Sequence, residues 1–225
     1  MLRYLTIVVF ASLIVVARSA GAAEKFDLPL LFEDDFEKGA DAWEPTDASA
    51  WKLNENDGGK AYGIIKRGSS YKPPHRSPYH ISLIKDVEAG DFVLTLKIKS
   101  TLDTGGHRDA CLFFNYQDPA NFYYVHLGKR ADPHSCQIMI VKDAPRKMIT
   151  QKQTTGVPWD DDWHNVKVVR RVADGTIEIY FDDMDTPVMA AVDKTFGTGR
   201  IGIGSFDDMD DFDDVKLYGK KAPSK

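Results

Sequence analysis

Residues 107–142, HRDACLFFNYQDPANFYYVHLGKRADPHSCQIMIVK, decide the fold of this chain. Turn residues divide the stretch into three apolar runs, with DPAN at 118–121 ending the first and KRADP at 129–133 ending the second. Turns of this composition between alternating runs are typical of an antiparallel meander. The sequence therefore predicts three neighbouring antiparallel strands in this part of the chain.

The alternation of side chains sorts these strands into two faces, because successive residues of a strand point to opposite sides. One face is apolar and is predicted to be core: Leu112, Phe114, Tyr123, Val125, Leu127, Ile138 and Ile140. The second face mixes aromatic rings with hydrogen-bonding groups: Cys111, Phe113, Asn115, Phe122, Tyr124, His126, Gln137 and Met139. In this folding Cys111, His126 and Gln137 lie abreast. Because rings beside hydrogen-bonding groups suit a sugar, we expect the function on the second face.

Short alternating runs punctuated by Gly and Pro continue through the rest of the chain. They lie at 30–37, 51–53, 61–66, 92–99, 166–172, 176–181, 200–204 and 213–218. Roughly a dozen strands at this spacing predict an all-β fold, a two-sheet antiparallel sandwich or jelly roll. A two-residue turn at Asp174-Gly175 would place Arg171 opposite Glu178 as a cross-strand charge pair.

The N-terminal segment has the pattern of a secretory signal. A basic residue precedes an apolar stretch at 5–17, and small residues follow at 20–22. The stretch is shorter than the roughly 20 apolar residues of a spanning helix, and Arg18 interrupts it. We therefore predict a signal peptide at 1–22 and one sandwich domain at 23–225. A secreted or periplasmic location follows, with no membrane span after cleavage.

Charge and cysteine usage narrow the possible partners. The chain has 29 basic and 34 acidic residues, and the signal holds two of the basic ones, so the mature charge is 27 minus 34, or −7. This charge argues against nucleic acid and anionic membrane surfaces as partners. The predicted strands put Cys111 and Cys136 on opposite faces with a whole strand between them, which argues against a disulfide.

Four segments resemble the concanavalin A-like lectin/glucanase sandwich. They are LFEDDFEKG at 31–39, FNYQDPANFYYVHL at 114–127, WHNVKVVRRVADGTIEIYFDD at 163–183 and GRIGIGSFDDMDDFDDVKLYG at 199–219. Within that superfamily the chain is most similar to exported bacterial laminin-G-like and 3-keto-disaccharide-hydrolase-like domains. The resemblance implies two packed sheets, one of them curved, with carbohydrate held on the concave side.

Five residues are predicted to bind a saccharide on that side: Arg76, Arg108, Tyr124, His126 and Gln137. Aromatic rings would stack on sugar faces, while Arg and Gln would donate hydrogen bonds to hydroxyl or acidic groups. The Pro-rich stretch at 70–79, which carries Arg76, either lines the groove, with Tyr71, His75 or Arg76 contacting a ligand, or is a surface loop whose rings pack on the sandwich.

Enzymes acting on the same face remain alternatives. Glycoside hydrolysis usually needs two facing carboxylates. The resemblance implies that a glucanase would carry Glu, Asp and Glu at alternating positions of one strand, and the only segment of this chain that comes near this pattern is EDDFE at 33–37. A 3-keto-disaccharide-hydrolase-like activity stays open. A polysaccharide lyase would use Tyr124 or His126 for proton transfer, but its Gln-x-His motif reads Gln-Ile-Met at 137–139. The remaining alternative is a laminin-G-like protein-interaction module.

The six histidines match no recognised zinc spacing. In the resembling sandwiches an N-terminal and a C-terminal acidic strand meet at a structural calcium, and Asp35 and Asp213 match those positions. Hard oxygen ligands suit Ca²⁺. The alternative is a solvated acidic edge that discourages pairing between molecules.

Two tryptophans flank an acidic triplet, WDDDW at 159–163. We expect Trp163 to be a core anchor that opens the following hairpin, and a stacking platform for sugar rings is the alternative.

Overall fold

The computed structural model describes residues 27–56 and 58–221, so the predicted signal peptide lies outside the described residues. The strands are β1 Leu30–Asp34, β2 Trp43–Pro45, β3 Trp51–Asn56, β4 Gly59–Ile64, β5 His80–Ser100, β6 Asp109–Asp118, β7 Asn121–Gly128, β8 Gln137–Lys142, β9 Lys147–Met148, β10 His164–Arg171, β11 Thr176–Phe181, β12 Met189–Val192, β13 Gly199–Ser205 and β14 Asp210–Lys221. Helical structure in the described ranges is limited to two short 3₁₀ turns, Ala48–Ala50 and Gly105–His107. The predicted all-β class is confirmed. Within these ranges, no helix has the length and apolar character needed to cross a membrane.

Strand β5 is 21 residues long and takes part in both layers of the fold. Its first part pairs with β13 and β2, and its second part pairs with β10 and β14. The first layer has the order β9-β8-β7-β6-β13-β5-β2, and the second has the order β12-β11-β10-β5-β14, with β1 and the β4-β3 pair beyond β14. Every pair among the described strands is antiparallel. This is the two-sheet antiparallel sandwich that the sequence predicts.

The two layers enclose one apolar core. All seven residues predicted for the core face of β6, β7 and β8 belong to it, as do Phe92, Leu94, Leu96 and Ile98 of β5. Cys111 pairs with His126, and His126 pairs with Gln137, so the predicted alignment of these three residues is confirmed. Both cysteines are free thiols, with Cys136 in the core and Cys111 on the other face.

The β10–β11 hairpin differs from its predicted register. Arg171 pairs with Thr176, so the turn contains four residues, 172–175, and not two. The Gly175 amide donates to the Arg171 carbonyl at 3.0 Å, and Gly175 has a φ of 84°, a conformation that glycine adopts without strain. Arg171 Nη1 still lies 3.2 Å from Glu178 Oε2. The predicted pair of charges forms diagonally and not directly opposite.

The tryptophan expected in the core is the wrong one of the two. Trp159 is 2% exposed and packs in the main core, whereas Trp163 is partly exposed and lines a surface cleft. The indole Nε1 of Trp159 donates to the Leu127 carbonyl at 2.7 Å. Because a buried indole N–H needs a partner, this acceptor explains why Trp159 is the buried residue.

The second face of the first layer is also buried. It carries a smaller apolar cluster: Ile81, Leu83, Cys111, Phe113, Tyr116, Phe122, Tyr124, Met139 and Val141. Residues 65–79, here called the covering segment, contribute Tyr71 to this cluster. At the end of the segment the Tyr79 amide donates to the Phe206 carbonyl at 3.2 Å. The groove predicted on this face is therefore filled by the chain itself, because so many apolar side chains cannot be left in water.

Asp47 fixes the beginning of the covering segment. Its carboxylate accepts hydrogen bonds from the Ser49 hydroxyl at 2.6 Å, the Ser49 amide at 3.1 Å and the Ser70 amide at 2.8 Å. Lys66 Nζ lies 3.4 Å away. These hydrogen bonds hold the pKa of Asp47 well below its usual range, although burial opposes them.

Arg170 joins three parts of the sandwich from a buried position. It is 1% exposed, and its side chain donates to five oxygens: Asn115 Oδ1 at 3.1 Å and the carbonyls of Gly175 at 2.8 Å, Thr176 at 3.5 Å, Asp193 at 2.9 Å and Phe196 at 2.8 Å. The acceptors belong to β6, to the β10–β11 hairpin and to the loop after β12.

Replacing Arg170 with Met should lower the free energy of unfolding by about 3 kcal/mol or more, because several buried acceptors would lose their donor. The urea midpoint of unfolding measures this change. Arg171→Met is the matched control: the Arg171 side chain is 53% exposed and makes one surface ion pair, so the change should stay within about 1 kcal/mol. Equal losses in the two variants would contradict the role given to Arg170.

Asp47→Asn should lower Tm by about 4 °C near neutral pH, because the charge-assisted hydrogen bonds to Ser49 and Ser70 weaken. A carboxyl with a depressed folded-state pKa stabilises the protein above its unfolded value of roughly 3.9 and loses that contribution as the pH falls below it. The difference in Tm between wild type and variant should therefore narrow in acid. Thermal melts across this pH range, with the exposed Asp185→Asn as control, test this; a difference that does not change with pH would contradict it.

Candidate functional site

Two guanidinium groups converge on the ring of Phe206 above the second face. Arg146 lies with its central carbon 4.3 Å from the ring centroid, and that of Arg76 lies 5.8 Å away. The ring of Tyr79 packs edge-on against Phe206 with 5.0 Å between centroids. We call these four residues the Phe206 rim. Such contacts hold cationic groups in place over an aromatic surface.

Arg146 connects the rim to the sheet below it. Its Nη1 donates to the hydroxyl of Tyr124 at 3.1 Å, and its backbone amide donates to the Arg76 carbonyl at 3.1 Å. Its Nε is buried without a hydrogen-bond partner among the described residues. Burial raises the pKa of the Tyr124 hydroxyl well above its usual value, so Tyr124 is a neutral group at physiological pH.

A groove of about 470 Å³ adjoins the rim. It is lined by Arg67, Gly68, Ser69, Lys72, Tyr79 and Asp207. Arg67 Nη2 lies 3.5 Å from Asp207 Oδ2, and both side chains are about half exposed. The rim and the groove together contain one carboxylate, that of Asp207, and four basic side chains: Arg67, Lys72, Arg76 and Arg146. The surface is therefore locally cationic on a chain whose net charge is −5.

The five residues predicted to bind a saccharide do not share one surface. Arg76 is exposed at the rim, while Tyr124 and His126 are buried below it. Gln137 lies beside His126, and its Nε2 donates to the Asp132 carbonyl at 2.9 Å. That these side chains contact a ligand stays a prediction.

Arg108 lies apart from the others, at one end of the sandwich. It is 3% exposed, and its guanidinium donates to the Asp160 carbonyl and to Asp161 Oδ1 at 2.5 Å. Its Nε lies 3.2 Å from Asp103 Oδ1. These contacts bind the loop before β10 to the loop before β6. The predicted ligand contact of Arg108 also stays a prediction.

A buried polar cluster lies beneath Phe206. Asp109, Cys111 and His126 each offer one ligand atom, and these three atoms lie within 4.8 Å of one another. His126 Nδ1 is 2.8 Å from the His134 carbonyl, and Nε2 is 3.2 Å from Asp109 Oδ2. Burial disfavours charge on both groups, but their mutual attraction holds the pKa of Asp109 below its usual value and raises that of His126.

Two further buried carboxyl groups surround this cluster. Asp208 Oδ2 accepts from the Thr104 hydroxyl at 2.7 Å and from the Asp109 amide at 3.3 Å. Asp210 is 0% exposed, and neither of its oxygens has a hydrogen-bond partner in the described part of the chain. Burial and the charges of Asp109 and Asp208 raise the pKa of Asp210 well above its usual value.

The cluster is absent from the sequence predictions, although two signals point to it. Asp109 and Cys111 are two residues apart and therefore share a strand face, and Asp208 and Asp210 have the same spacing within the acidic run. The sequence does not indicate that β6 and the acidic run contact each other. The Asp109 amide reaches an acceptor 99 residues later in the chain.

A separate acidic cleft of about 790 Å³ contains the residues predicted to bind calcium. Asp35 and Asp213 both line it, because β1 and β14 pair there with Asp34 opposite Val215. Burial raises the pKa of Asp213, and the charges of Asp214 and Asp35 add to the effect. The two acidic segments therefore meet at this cleft, and that Asp35 and Asp213 bind calcium stays a prediction. Carboxylate oxygens of this kind fit a hard cation such as Ca²⁺, although Lys97 Nζ lies 2.6 Å from Asp214 Oδ2.

No protein-family model and no curated protein matches this chain. Solved structures do match. A carbohydrate-binding module, CBM66 from Bacillus subtilis, is 18% identical over 79% of this chain and 96% of that one, with a TM-score of 0.56. A galectin-like protein of unknown function from Bacillus subtilis is 11% identical over 87% and 98%, with a TM-score of 0.55. Domain 4 of the GH43 extracellular arabinanase AbnA from Geobacillus stearothermophilus, in complex with arabinotriose, is 11% identical over 87% and 95%, with a TM-score of 0.55. Similarity at these identities concerns the fold, and the chain has a β-sandwich fold of the concanavalin A-like type.

Proposed function

We propose that this protein is an exported saccharide-binding β-sandwich that holds an acidic saccharide at the Phe206 rim. The observation that carries the proposal is the convergence of the Arg76 and Arg146 guanidinium groups on one aromatic ring. The rim lies over the second face of the first layer, the face on which the sequence analysis expects the saccharide.

The chemistry of the rim suits a sugar that carries a carboxylate or a sulfate. Guanidinium groups bind such anions through paired, charge-assisted hydrogen bonds. The rings of Tyr79 and Phe206 offer apolar surface to the faces of sugar rings. The local excess of basic side chains would also attract an anionic ligand to a chain that is negative overall.

The structural similarities support this choice of ligand class. The CBM66 structure is a carbohydrate-binding module, and the arabinanase domain holds arabinotriose. Both share the sandwich architecture over most of their length. The identity of the acidic saccharide is argued from the rim alone.

We place the ligand at the rim, and not deeper, because of the covering segment. Tyr124, His126 and Gln137 are at most 5% exposed, so a ligand reaches them only if the segment and Arg146 move. A lyase or hydrolase that uses Tyr124 or His126 for proton transfer would need that movement. Binding at the rim does not need it.

The mature protein should bind an oligogalacturonate more tightly than an uncharged oligosaccharide of the same length, as measured by isothermal titration calorimetry. Arg76→Ala should weaken binding about tenfold or more, because a hydrogen bond between charged groups is lost. Arg76 is exposed, so the variant should fold normally. Arg171→Ala removes an exposed guanidinium on the β10–β11 hairpin and should leave the affinity unchanged.

Three results would contradict this proposal. Equal affinity for charged and uncharged oligosaccharides would remove the role of the basic side chains. Release of shorter or unsaturated products during the titration would identify an enzyme. Failure to bind any saccharide would favour a protein-interaction module of the laminin-G-like kind.

We also propose that Ca²⁺ binds in the acidic cleft at Asp35 and Asp213. The support is electrostatic, since the carboxylates of Asp35, Asp213 and Asp214 repel one another and a divalent cation would relieve that repulsion. An ion at this place would join the two ends of the sandwich domain, because β1 and β14 both border the cleft.

Calcium should therefore raise Tm by several degrees in wild type and by much less in Asp213→Asn, because one of the ligands is neutralised. Differential scanning fluorimetry with added CaCl₂ or a chelator measures the shift. Asp185→Asn removes an exposed carboxylate elsewhere and should keep the full response. The same shift in Asp213→Asn as in wild type would contradict this site.

A further inference from the structure

The cluster of Asp109, Cys111 and His126 has the composition of a metal site. A thiolate, an imidazole and a carboxylate are the ligands that zinc uses in proteins, and all three of these residues are buried. They come from the neighbouring strands β6 and β7, where Cys111 and His126 are direct partners. Since β-sheet pairing fixes their relative positions, the three ligand atoms are held together before any ion binds.

The hydrogen bonding of His126 is that of a metal ligand. Its Nδ1 must carry a proton, because the atom it contacts at 2.8 Å is the His134 carbonyl, which can only accept. Its Nε2 is buried and points into the cluster, 3.2 Å from Asp109 Oδ2, so an ion at this place would take the position of the proton that this nitrogen shares with the carboxylate. A backbone carbonyl that fixes the tautomer in this way is the common second contact of zinc-bound histidines.

The distance between His126 and Asp109 also agrees with a shared ion. Two ligand atoms at about 2.0–2.1 Å from a tetrahedral zinc ion lie about 3.3 Å apart. His126 Nε2 and Asp109 Oδ2 lie 3.2 Å apart. The sulfur of Cys111 lies within 4.8 Å of both atoms.

Asp210 supplies an independent observation. Its carboxylate is 0% exposed, and neither oxygen has a hydrogen-bond partner among residues 27–56 and 58–221. A buried carboxylate without partners is costly. The positive charge of an ion at the cluster would offset this cost, since Asp210 lies close to Asp109: the Ser205 hydroxyl that contacts Asp109 Oδ1 at 2.9 Å also borders Asp210.

We propose that Asp109, Cys111 and His126 bind a divalent transition-metal ion, with zinc as the best match. A thiolate and an imidazole select a borderline-soft ion over calcium. On binding, the Cys111 thiol would release its proton to solvent, and the ion would offset the charges of the thiolate and the carboxylates. No short zinc motif marks the site in the sequence because the pairing of β6 with β7 brings its ligands together.

The ion would also support the surface above it. Asp109 Oδ1 accepts from the Phe206 amide at 3.1 Å, so a metal on the other oxygen would fix the base of the Phe206 rim. The metal site does not depend on the saccharide proposal, because its ligands are separate from the exposed residues of the rim.

Cobalt tests the ligand set directly. The mature protein, stripped with a chelator and kept reduced, is titrated with Co²⁺ while near-ultraviolet absorbance from thiolate coordination is followed, and bound zinc is measured by elemental analysis. We expect one ion per chain, a thiolate–cobalt band, and a higher Tm for the zinc form than for the stripped form. Cys111→Ala should lose the band and His126→Gln should bind the ion much more weakly.

Cys136→Ala is the matched control, because Cys136 is the other buried cysteine and lies in the main core. It should keep both the band and the stoichiometry. Circular dichroism shows that each variant is folded. Wild type that binds no ion, a band that persists in Cys111→Ala, or a band that disappears in Cys136→Ala would each overturn the proposal.

Discussion

Phe113, Phe122 and Tyr124 lie on the face of the first layer that points away from the core, and all three are buried. A sheet that carries large apolar side chains on both faces must cover both of them, since exposed apolar surface of this extent is unfavourable in water. The second layer covers one face. The covering segment, Arg146 and Phe206, together called the cover, lie over the other face. Both the surface at Phe206 and the buried cluster beneath it depend on this cover.

Functional side chains lie on both the outer and the inner side of the cover. Outside it, the packing of Tyr79, Arg76 and Arg146 around Phe206 gathers basic side chains that the sequence distributes over a long stretch of chain. Inside it, burial removes water from Asp109 and His126 and strengthens their attraction. The residues of the cover therefore form the proposed saccharide surface on their outer side and shield the proposed metal site from water on their inner side. The acidic cleft at Asp35 and Asp213 depends on a different contact, the pairing of β1 with β14.

Strand faces were predictable from the sequence and contacts across the fold were not. The alternation in β6, β7 and β8 is local, so the core residues and the alignment of Cys111, His126 and Gln137 follow from period-two reasoning. The predicted register of the β10–β11 hairpin was wrong because Asp174 and Gly175 are only half of a four-residue turn. For the Pro-rich loop, packing of its rings on the sandwich was one of two alternatives, and the structure shows it for Tyr71 and Tyr79. The sequence did not decide between them because such a loop contains no signal for the face on which it lies. The carboxyl cluster was missed because Asp208 and Asp109 are joined only in the folded chain.

The proposed ligand surface lies on the cover, at Phe206, and not in the sheet beneath it. A crystal structure of the mature protein with an acidic oligosaccharide distinguishes these two positions. We expect sugar density along Phe206 and Tyr79, with a carboxylate beside Arg76 and Arg146 and the covering segment in place. Sugar density in the acidic cleft at Asp35 and Asp213, or against Tyr124 and Gln137 with the covering segment displaced, would contradict it.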